Sequence, residues 1–579
     1  MLAKAPARYP AFLPTVVDPS PTEAALLAEI AEAIDLHEQG RYWQAEKRYR
    51  RILDKHPNSP RATALLGLLL EQKQASDKTL AMIEAGCQAD PNDMLIQGNA
   101  GGVLHMLGRV REAAEYYSRA VEAAPMYGQA YVGLGSCFAD LMRHREAVYA
   151  YRRAVVAEPE NFNFWSDLIF TTDLSDGSTF NDSLAVRREV NDRLIRPLMP
   201  ETKTYRNDPD PDRQLRVGYA SADMYQHSGA TTWGGWLVNH DRSKFHVTLY
   251  SATMKHDQMT EKFKASCDTW YDVQDWSHDR LALQVEKDKI DIFVDLASYS
   301  RGGRLPAFAR RPAPIQLSGW GYATGTGLDC MDYFATDETV VPIHDEGRYH
   351  EMPWRLPSAL SWVPPKDAIP VGHVRAALGR PVCFGVFNRQ PKITRSSIKA
   401  WAEILRRVPG SWLMIKNGRL DHQQVKDALA EAFEAEGVGD NRVALFGQGN
   451  HWDHLASHWI PDVMLDPFPQ GGGVSAFESL WMGVPLVTLL GDRPSGRIAA
   501  SLLKQVQLDD WIANDEETYV ERAVEAARDI ERLKEIRATL RERVYAMPAT
   551  DIKGYARHVE DGYRLRWQAW CQRVKEGRA

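Results

Sequence analysis

The chain has 579 residues, enough for about three or four domain-sized cores, and its 44% hydrophobic and 25% charged residues are those of an ordinary globular protein. No apolar run approaches the ~18 to 20 residues of a membrane-spanning helix, and a net charge of −7 lacks the basic footprint of a non-specific nucleic-acid binder. Six scattered cysteines, Cys87, Cys137, Cys267, Cys330, Cys383 and Cys571, show no CxxC and no His/Cys cluster at zinc spacing, which argues for reduced thiols.

Residues 1–22 open with MLAKAPARYPAFLPTVVDPS, a proline-broken stretch without the apolar core of a signal peptide, so a cytoplasmic location is expected. Over residues 23–172 a period emerges: Pro57, Pro91, Pro125 and Pro159 stand 34 residues apart. This is the period of helix–turn–helix repeats. Gly101, Leu104, Gly108, Ala113, Tyr117 and Ala120 precede Pro125, and Tyr131, Leu134, Gly135, Phe138, Ala147, Tyr151 and Ala154 precede Pro159. The pattern resembles the tetratricopeptide repeat, with four units and a half-repeat at Asn163 to Thr171 that caps the last. Such arrays bind peptide on a concave face, whereas the plainer alternative is a spacer or dimerisation arm. The segment 173–213 carries a helix expected from Asp182 to Leu198 and then the polar linker KTYRNDPDPDRQ. Asp208, Asp210 and Asp212 alternate with proline there, which suits a solvated linker better than a metal site.

From Leu215 the helical period gives way to short apolar runs, LRVGYAS, FHVTLYS, IDIFVDLAS and APIQLSGWG, with helical stretches such as Asp279 to Lys287 between some of them. Alternating strand and helix predicts a parallel sheet covered on both faces, with ligands beyond the carboxyl ends of the strands. This first lobe is placed at 214–365. A second set, VCFGVFN, SWLMIKN, RVALFG, DVMLD and PLVTLLG, predicts another such lobe at 366–548, with helices at Thr394 to Arg407, Gln423 to Glu436 and Trp452 to Ser457. Residues 549–579 read as one amphipathic helix with Tyr555, Val559, Tyr563, Trp567 and Trp570 near one face.

The second set contains LDPFPQGGGVSAFESLWMGVPLVTLLG, a strand, glycine turn, helix and strand. Glycines let a ligand approach the backbone, and the helix start offers unpaired N–H groups and a positive dipole end, which suits a diphosphate. An ordinary capping box from Ser475 to Glu478 explains the same residues.

The segments RVGYASADMYQH, DIFVDLASYSRGGR and RPAPIQLSGWGYATGTG together resemble the catalytic region of the O-linked N-acetylglucosamine transferases, glycosyltransferase family 41. The resemblance runs from about Leu215 to Ala546. It implies a tetratricopeptide superhelix followed by a two-lobed α/β glycosyltransferase of the GT-B type, built from two Rossmann-like domains. His227 falls on the family's active-site histidine, and Tyr322 and Thr324 on the loop that lines its cleft. Lys392 in FNRQPKITR takes the place of the lysine that stabilises the leaving diphosphate, and Arg389 stands where glutamine is usual. His454 in HWDHLASHW falls on the base- and ribose-contacting histidine, and Glu478 on the ribose-binding carboxylate. Gly472 lies in the donor turn, where Gly473, Val474 and Ser475 replace the usual His-Thr-Thr; Ala323 replaces a proline. Only Asn99 represents the family's repeat asparagine, with Leu65 and Gly133 at the matching places.

The resemblance implies an inverting protein O-glycosyltransferase, with a nucleotide sugar as donor, UDP-N-acetylglucosamine first among candidates. It implies no metal or other cofactor, and a protein acceptor recruited by the repeats. Two alternatives stand beside it: transfer of another sugar, such as a CMP-linked nonulosonic acid, onto flagellin or another bacterial surface protein, and a peptide-binding scaffold with an inactive transferase fold.

Overall fold

The computed structural model describes residues 21–578 except 39–40, 58, 74–76, 323 and 366–368. The expected extension therefore lies almost wholly outside the described residues, as does Ala323. Two compact units are present. The first runs to Pro159 and takes in His422–Asp427; the second comprises Glu160–Asp421 and Ala428 onward.

In the first unit the described helices pair as the 34-residue period predicts: Pro21–Glu38 with Tyr42–Lys55, Pro60–Lys73 with Asp77–Ala89, Met94–Met106 with Val110–Ala123, and Gly128–Asp140 with His144–Ala157. Small residues sit where aromatic rings need room. A Cβ at Gly135 would lie 2.8 Å from the Tyr151 ring of its own pair, and one at Gly133 only 2.2 Å from Tyr117 of the preceding pair. Alanines 113, 120, 147 and 154 are fully buried at the same seams.

The second unit starts with a helix at Phe162–Leu174, over the segment expected as a half-repeat; it is called the cap helix below. The linking helix begins at Phe180, not Asp182, because Thr179 and Asp182 form a capping box. It is α-helical to Val190 and ends through a wider turn at Asn191–Ile195 and a tighter one at Arg196–Leu198.

Two parallel sheets follow. In the first, β1 (Leu215–Ser221), β2 (Phe245–Ser251), β3 (Thr269–Asp272), β4 (Ile292–Asp295), β5 (Ile315–Ser318), β6 (Tyr333–Thr336) and β7 (Met352–Arg355) lie in the order 3-2-1-4-5-6-7. In the second, β8 (Cys383–Val386), β9 (Trp412–Lys416), β10 (Val443–Phe446), β11 (Val463–Leu465), β12 (Leu486–Leu489) and β13 (Ile512–Ala513) lie in the order 10-9-8-11-12-13. Both orders reverse once, between β1 and β4 and between β8 and β11. Ligands of open parallel sheets bind at such reversal points, outside the carboxyl ends of the strands.

The C-terminal helix, Ile552–Lys575, belongs to the core of the first sheet. Tyr555, Val559, Tyr563, Trp567 and Trp570 are buried together with Leu215, Val217, Tyr219 and Trp236. Polar tips are matched inside that core: Trp320 Nε1 donates to the Tyr555 hydroxyl at 2.8 Å, and Tyr219 to the Tyr563 hydroxyl at 3.2 Å. The linker is fixed to the same helix, since Trp567 Nε1 donates to the Asp210 carbonyl at 2.9 Å.

Candidate functional site at the second sheet's reversal point

Strands β8 and β11 are neighbours, and the segments that leave their carboxyl ends hold most of the expected donor residues. After β8 come Asn388, Arg389 and Lys392; after β11 come Asp466 and the turn Gly471–Gly473. The Lys392 ammonium donates to the Gly471 carbonyl at 2.5 Å. The lysine and the glycine turn are therefore in direct contact. Burial, and then the neighbouring Arg389 cation, push Lys392 down to about 8, with Asp466 opposing them.

Asp466 organises the turn from beneath. Its buried carboxylate accepts from the Gly472 N–H at 2.7 Å and from the Thr488 hydroxyl at 2.8 Å, while burial holds its pKa above the ordinary value. A Cβ at Gly471 would lie 2.3 Å from that carboxylate, so only glycine fits there. The Gly471 N–H donates to the Ser495 carbonyl at 3.2 Å. Two of the turn's N–H groups are thus committed to the protein. Those of Gly473, Val474 and Ser475 open the helix Val474–Trp481 and have no protein acceptor among the described residues.

The capping-box alternative fails. Gly473 is the N-cap and caps with no side chain. The Ser475 hydroxyl donates to Asn388 Oδ1 at 2.9 Å, and Glu478 Oε2 lies 3.2 Å from His454 Nε2. Both side chains of the expected cap are drawn to partners brought in by the fold. His454 also packs beside Phe387 and His458, and burial lowers His458 to about 4, so that ring is neutral at physiological pH. Arg389 stacks its guanidinium 5.3 Å over the Phe170 ring of the cap helix.

At the first sheet's reversal point, His227 follows β1 and caps the helix Ser228–Leu237. Its Nδ1 accepts from the Gly229 N–H at 3.1 Å and lies 3.4 Å from Asp223. An Nδ1 used as acceptor leaves the neutral ring's proton on Nε2. Burial raises Asp223 above an ordinary carboxylate, with His227 opposing.

Tyr322 and Thr324 are buried, and their hydroxyls meet the cap and linking helices. Tyr322 donates to Asp173, and Arg187 donates to Asp173 at 2.7 Å, to Thr324 at 3.0 Å and to the Gly325 carbonyl at 3.2 Å. Burial alone would raise Asp173, but Arg187, Ser183 and Tyr322 hold it below the ordinary carboxylate range. Arg493, after β12, reaches the carbonyl end of the cap helix, donating to Asp173 O at 3.0 Å and Thr172 O at 3.3 Å. Asp173, Arg187, Arg493, Asn388 and Asp466 were not singled out from the sequence. Only Asp466 carried a local signal, as the last residue of the run DVMLD at a strand end.

Among the described residues no group of three or more His, Cys, Asp or Glu side chains is arranged to hold a metal ion, and no helix is long and apolar enough to cross a membrane.

Comparison with known proteins agrees with this geometry. The family described as Glycosyl transferase family 41 matches residues 196–360 and 374–559, and the Tetratricopeptide repeat family matches 30–93 and 107–162. A protein of Solanum lycopersicum named "Probable UDP-N-acetylglucosamine--peptide N-acetylglucosaminyltransferase SPINDLY" is 32% identical over 421 residues, 72% of this chain and 45% of that one. A protein of the same name from Oryza sativa subsp. japonica is 33% identical over 432 residues, 73% of this chain and 46% of that one. The chain thus spans less than half the length of these relatives. The solved structure of a lysine-to-methionine mutant of Thermobaculum terrenum O-GlcNAc transferase superposes with a TM-score of 0.80 at 28% identity, covering 96% of this chain and 100% of that one. With more than half of its residues matched by that family's model, the chain belongs to glycosyl transferase family 41.

Proposed function

We propose that the protein transfers N-acetylglucosamine from UDP-N-acetylglucosamine to a Ser or Thr hydroxyl of a protein acceptor, with inversion at the sugar carbon and no metal in the mechanism. The observation that carries this reading is the 2.5 Å contact between the Lys392 ammonium and the Gly471 carbonyl. It brings a cation to the start of a helix whose first N–H groups have no protein acceptor. In the reaction the acceptor oxygen bonds to the anomeric carbon, the bond from that carbon to the diphosphate oxygen breaks, and the hydroxyl proton passes to a phosphate oxygen of the departing diphosphate. Negative charge develops on the diphosphate. Lys392 and the N–H groups of Gly473, Val474 and Ser475 stabilise it as preorganised donors, and His454 with Glu478 holds the nucleoside. His227, with its proton on Nε2, orients the acceptor by donating a hydrogen bond.

The repeats of residues 23–172 recruit the acceptor, the lobe 214–365 positions it, and the lobe 366–548 holds the donor. The setting proposed is the cytoplasm, where the six cysteines stay reduced. Intact-mass analysis of candidate acceptors co-expressed with the protein tests the proposal, one added N-acetylhexosamine being the expected result. A thermal-shift panel of UDP-linked and CMP-linked sugars tests the donor, because only a true donor stabilises the native state in proportion to its affinity.

The pH dependence follows from Lys392. Its value of about 8 means the ammonium is present below that pH and is lost above it. The kcat/KM of the free enzyme is therefore expected to be level near neutrality and to fall above about pH 8. Because the Arg389 cation lowers Lys392, Arg389→Gln is expected to move that limb to higher pH. A limb that stays in place in this variant assigns it to another group.

A further inference from the structure

Asp167, on the cap helix, has no role in the mechanism above and differs from Asp173, Asp462 and Glu351, sheltered acids that are each met by donors. Asp462 accepts from the N–H groups of Arg375 at 2.6 Å and Cys383 at 3.0 Å, and Glu351 from the Thr326 hydroxyl at 2.6 Å and the Gly327 N–H at 3.1 Å. Asp173 has Arg187, Ser183 and Tyr322. Among the described residues Asp167 has no such donor. Burial raises it to about 6, and the Arg301 cation opposes burial through space without bonding either oxygen. Sheltered polar groups are nearly always paired, so an unpaired carboxylate that still reaches solvent calls for a partner from outside the chain.

The position of Asp167 narrows the choice of partner. Phe170 lies three residues on, hence beside Asp167 on the helix surface. The Phe170 ring meets Tyr322 of the first lobe at 5.5 Å and carries the Arg389 guanidinium of the second at 5.3 Å. Arg389 in turn stands three residues before Lys392. On the other side Asn163, one turn earlier, is exposed, as is Arg301 in the segment after β4. Asp167 is thus part-buried at a lip, between open solvent and a ring that both lobes touch. The donor is not its ligand, because a carboxylate repels a diphosphate and the groups proposed to hold the donor all belong to the second lobe.

We propose that Asp167 reads the acceptor, binding a lysine or arginine side chain that flanks the Ser or Thr receiving the sugar. The inference rests on the transfer reading and adds a charge requirement to it. A cationic side chain supplies both things the carboxylate lacks, N–H donors for its oxygens and a positive charge to offset burial. A backbone amide supplies one donor and no charge. Arg301 bonds neither oxygen and so leaves both free for that contact. Charge complementarity across an interface governs partner choice more than raw affinity, which is what selection among many exposed hydroxyls requires.

The test incubates the full-length protein with UDP-N-acetylglucosamine and a serine-centred peptide library whose flanking positions are randomised, and sequences the modified peptides by mass spectrometry. With wild type, lysine and arginine are expected to be enriched about fivefold or more at one flanking position. Asp167→Asn keeps the shape but not the charge and is expected to abolish that enrichment. Asp167→Lys is expected to turn it toward Asp and Glu, since a repulsive element now faces the former ligand. Lost packing would not reverse a preference, and the asparagine variant decides the matter alone if the lysine variant does not fold. A wild-type product set without basic enrichment, or enrichment that survives Asp167→Asn, overturns the inference and leaves the transfer reading standing. Protein that binds UDP-N-acetylglucosamine by calorimetry yet modifies no peptide overturns the locally read cation alone. Protein that does not bind the sugar nucleotide overturns both.

Discussion

Lys392→Ala is expected to lower kcat by about 10²- to 10³-fold, the loss seen when one preorganised donor to a developing negative charge is removed. Affinity for UDP is expected to change far less. In the proposed mechanism Lys392 meets the charge that grows as the anomeric bond breaks, so its contribution is larger in the transition state than in the bound ground state. Single-turnover transfer with pre-bound donor measures the first quantity and calorimetry with UDP the second. If transfer survives the substitution, Lys392 does not carry the leaving-group charge. The variant also removes the cation that opposes the burial of Asp466, so thermal melting must show an intact fold before the rates are interpreted. Lys392→Arg keeps a positive charge but not a compact ammonium, and is expected to recover part of the rate.

The second large effect concerns stability. Arg187→Met strips the cation from a pair in which the Arg187 and Asp173 side chains are 1% and 2% exposed. A buried carboxylate deprived of its partner costs about 3–5 kcal/mol, here with the Ser183 and Tyr322 hydroxyls as its remaining partners. Denaturant titration of the full chain, followed by tryptophan fluorescence, is expected to show the second unit unfolding earlier. The pH sign is fixed by Asp173. In the wild type its folded pKa is depressed, so the pair stabilises above the unfolded carboxyl value and that contribution is lost as pH falls through the folded one. In the variant only the Ser183 and Tyr322 hydroxyls still oppose burial, so the carboxyl rises and the deficit is expected to narrow as pH falls. Asp173→Asn combined with Arg187→Met is expected to recover part of the loss, since no charge is then left unpaired. A deficit that is independent of pH and unrelieved in the double variant would mean lost packing, not an orphaned charge.

Much of the fold was legible because fully buried parallel strands read as apolar runs. LRVGYAS and FHVTLYS coincide with β1 and β2 residue for residue. The strands that escaped notice, β3, β6, β7 and β13, have two to four residues. Thr269–Asp272 is half-exposed at a sheet edge, Met352–Arg355 contains Pro353 at the opposite edge, and Ile512–Ala513 has no periodicity to read. At the site, the glycine turn was legible from residue type and strand-end position, whereas Lys392 was picked out by the family resemblance of FNRQPKITR. The capping-box alternative fails because local propensity lost to tertiary partners: Ser475 finds Asn388 and Glu478 finds His454, neither of them near in sequence. Asp173 and Arg187 had no signal at all. An acid on one helix and an arginine on the next look like surface charges until the fold closes over both.

The helix Ile552–Lys575 completes the hydrophobic interior of a sheet whose last strand ends at Arg355. During synthesis, at about 5–20 residues per second, that sheet emerges roughly ten to forty seconds before its missing wall. Trp236, Tyr219 and their neighbours stay uncovered while the entire second sheet and its helices are made. The lobe encoded first is therefore the one finished last, and the interval is when the nascent chain most depends on chaperones to shield it.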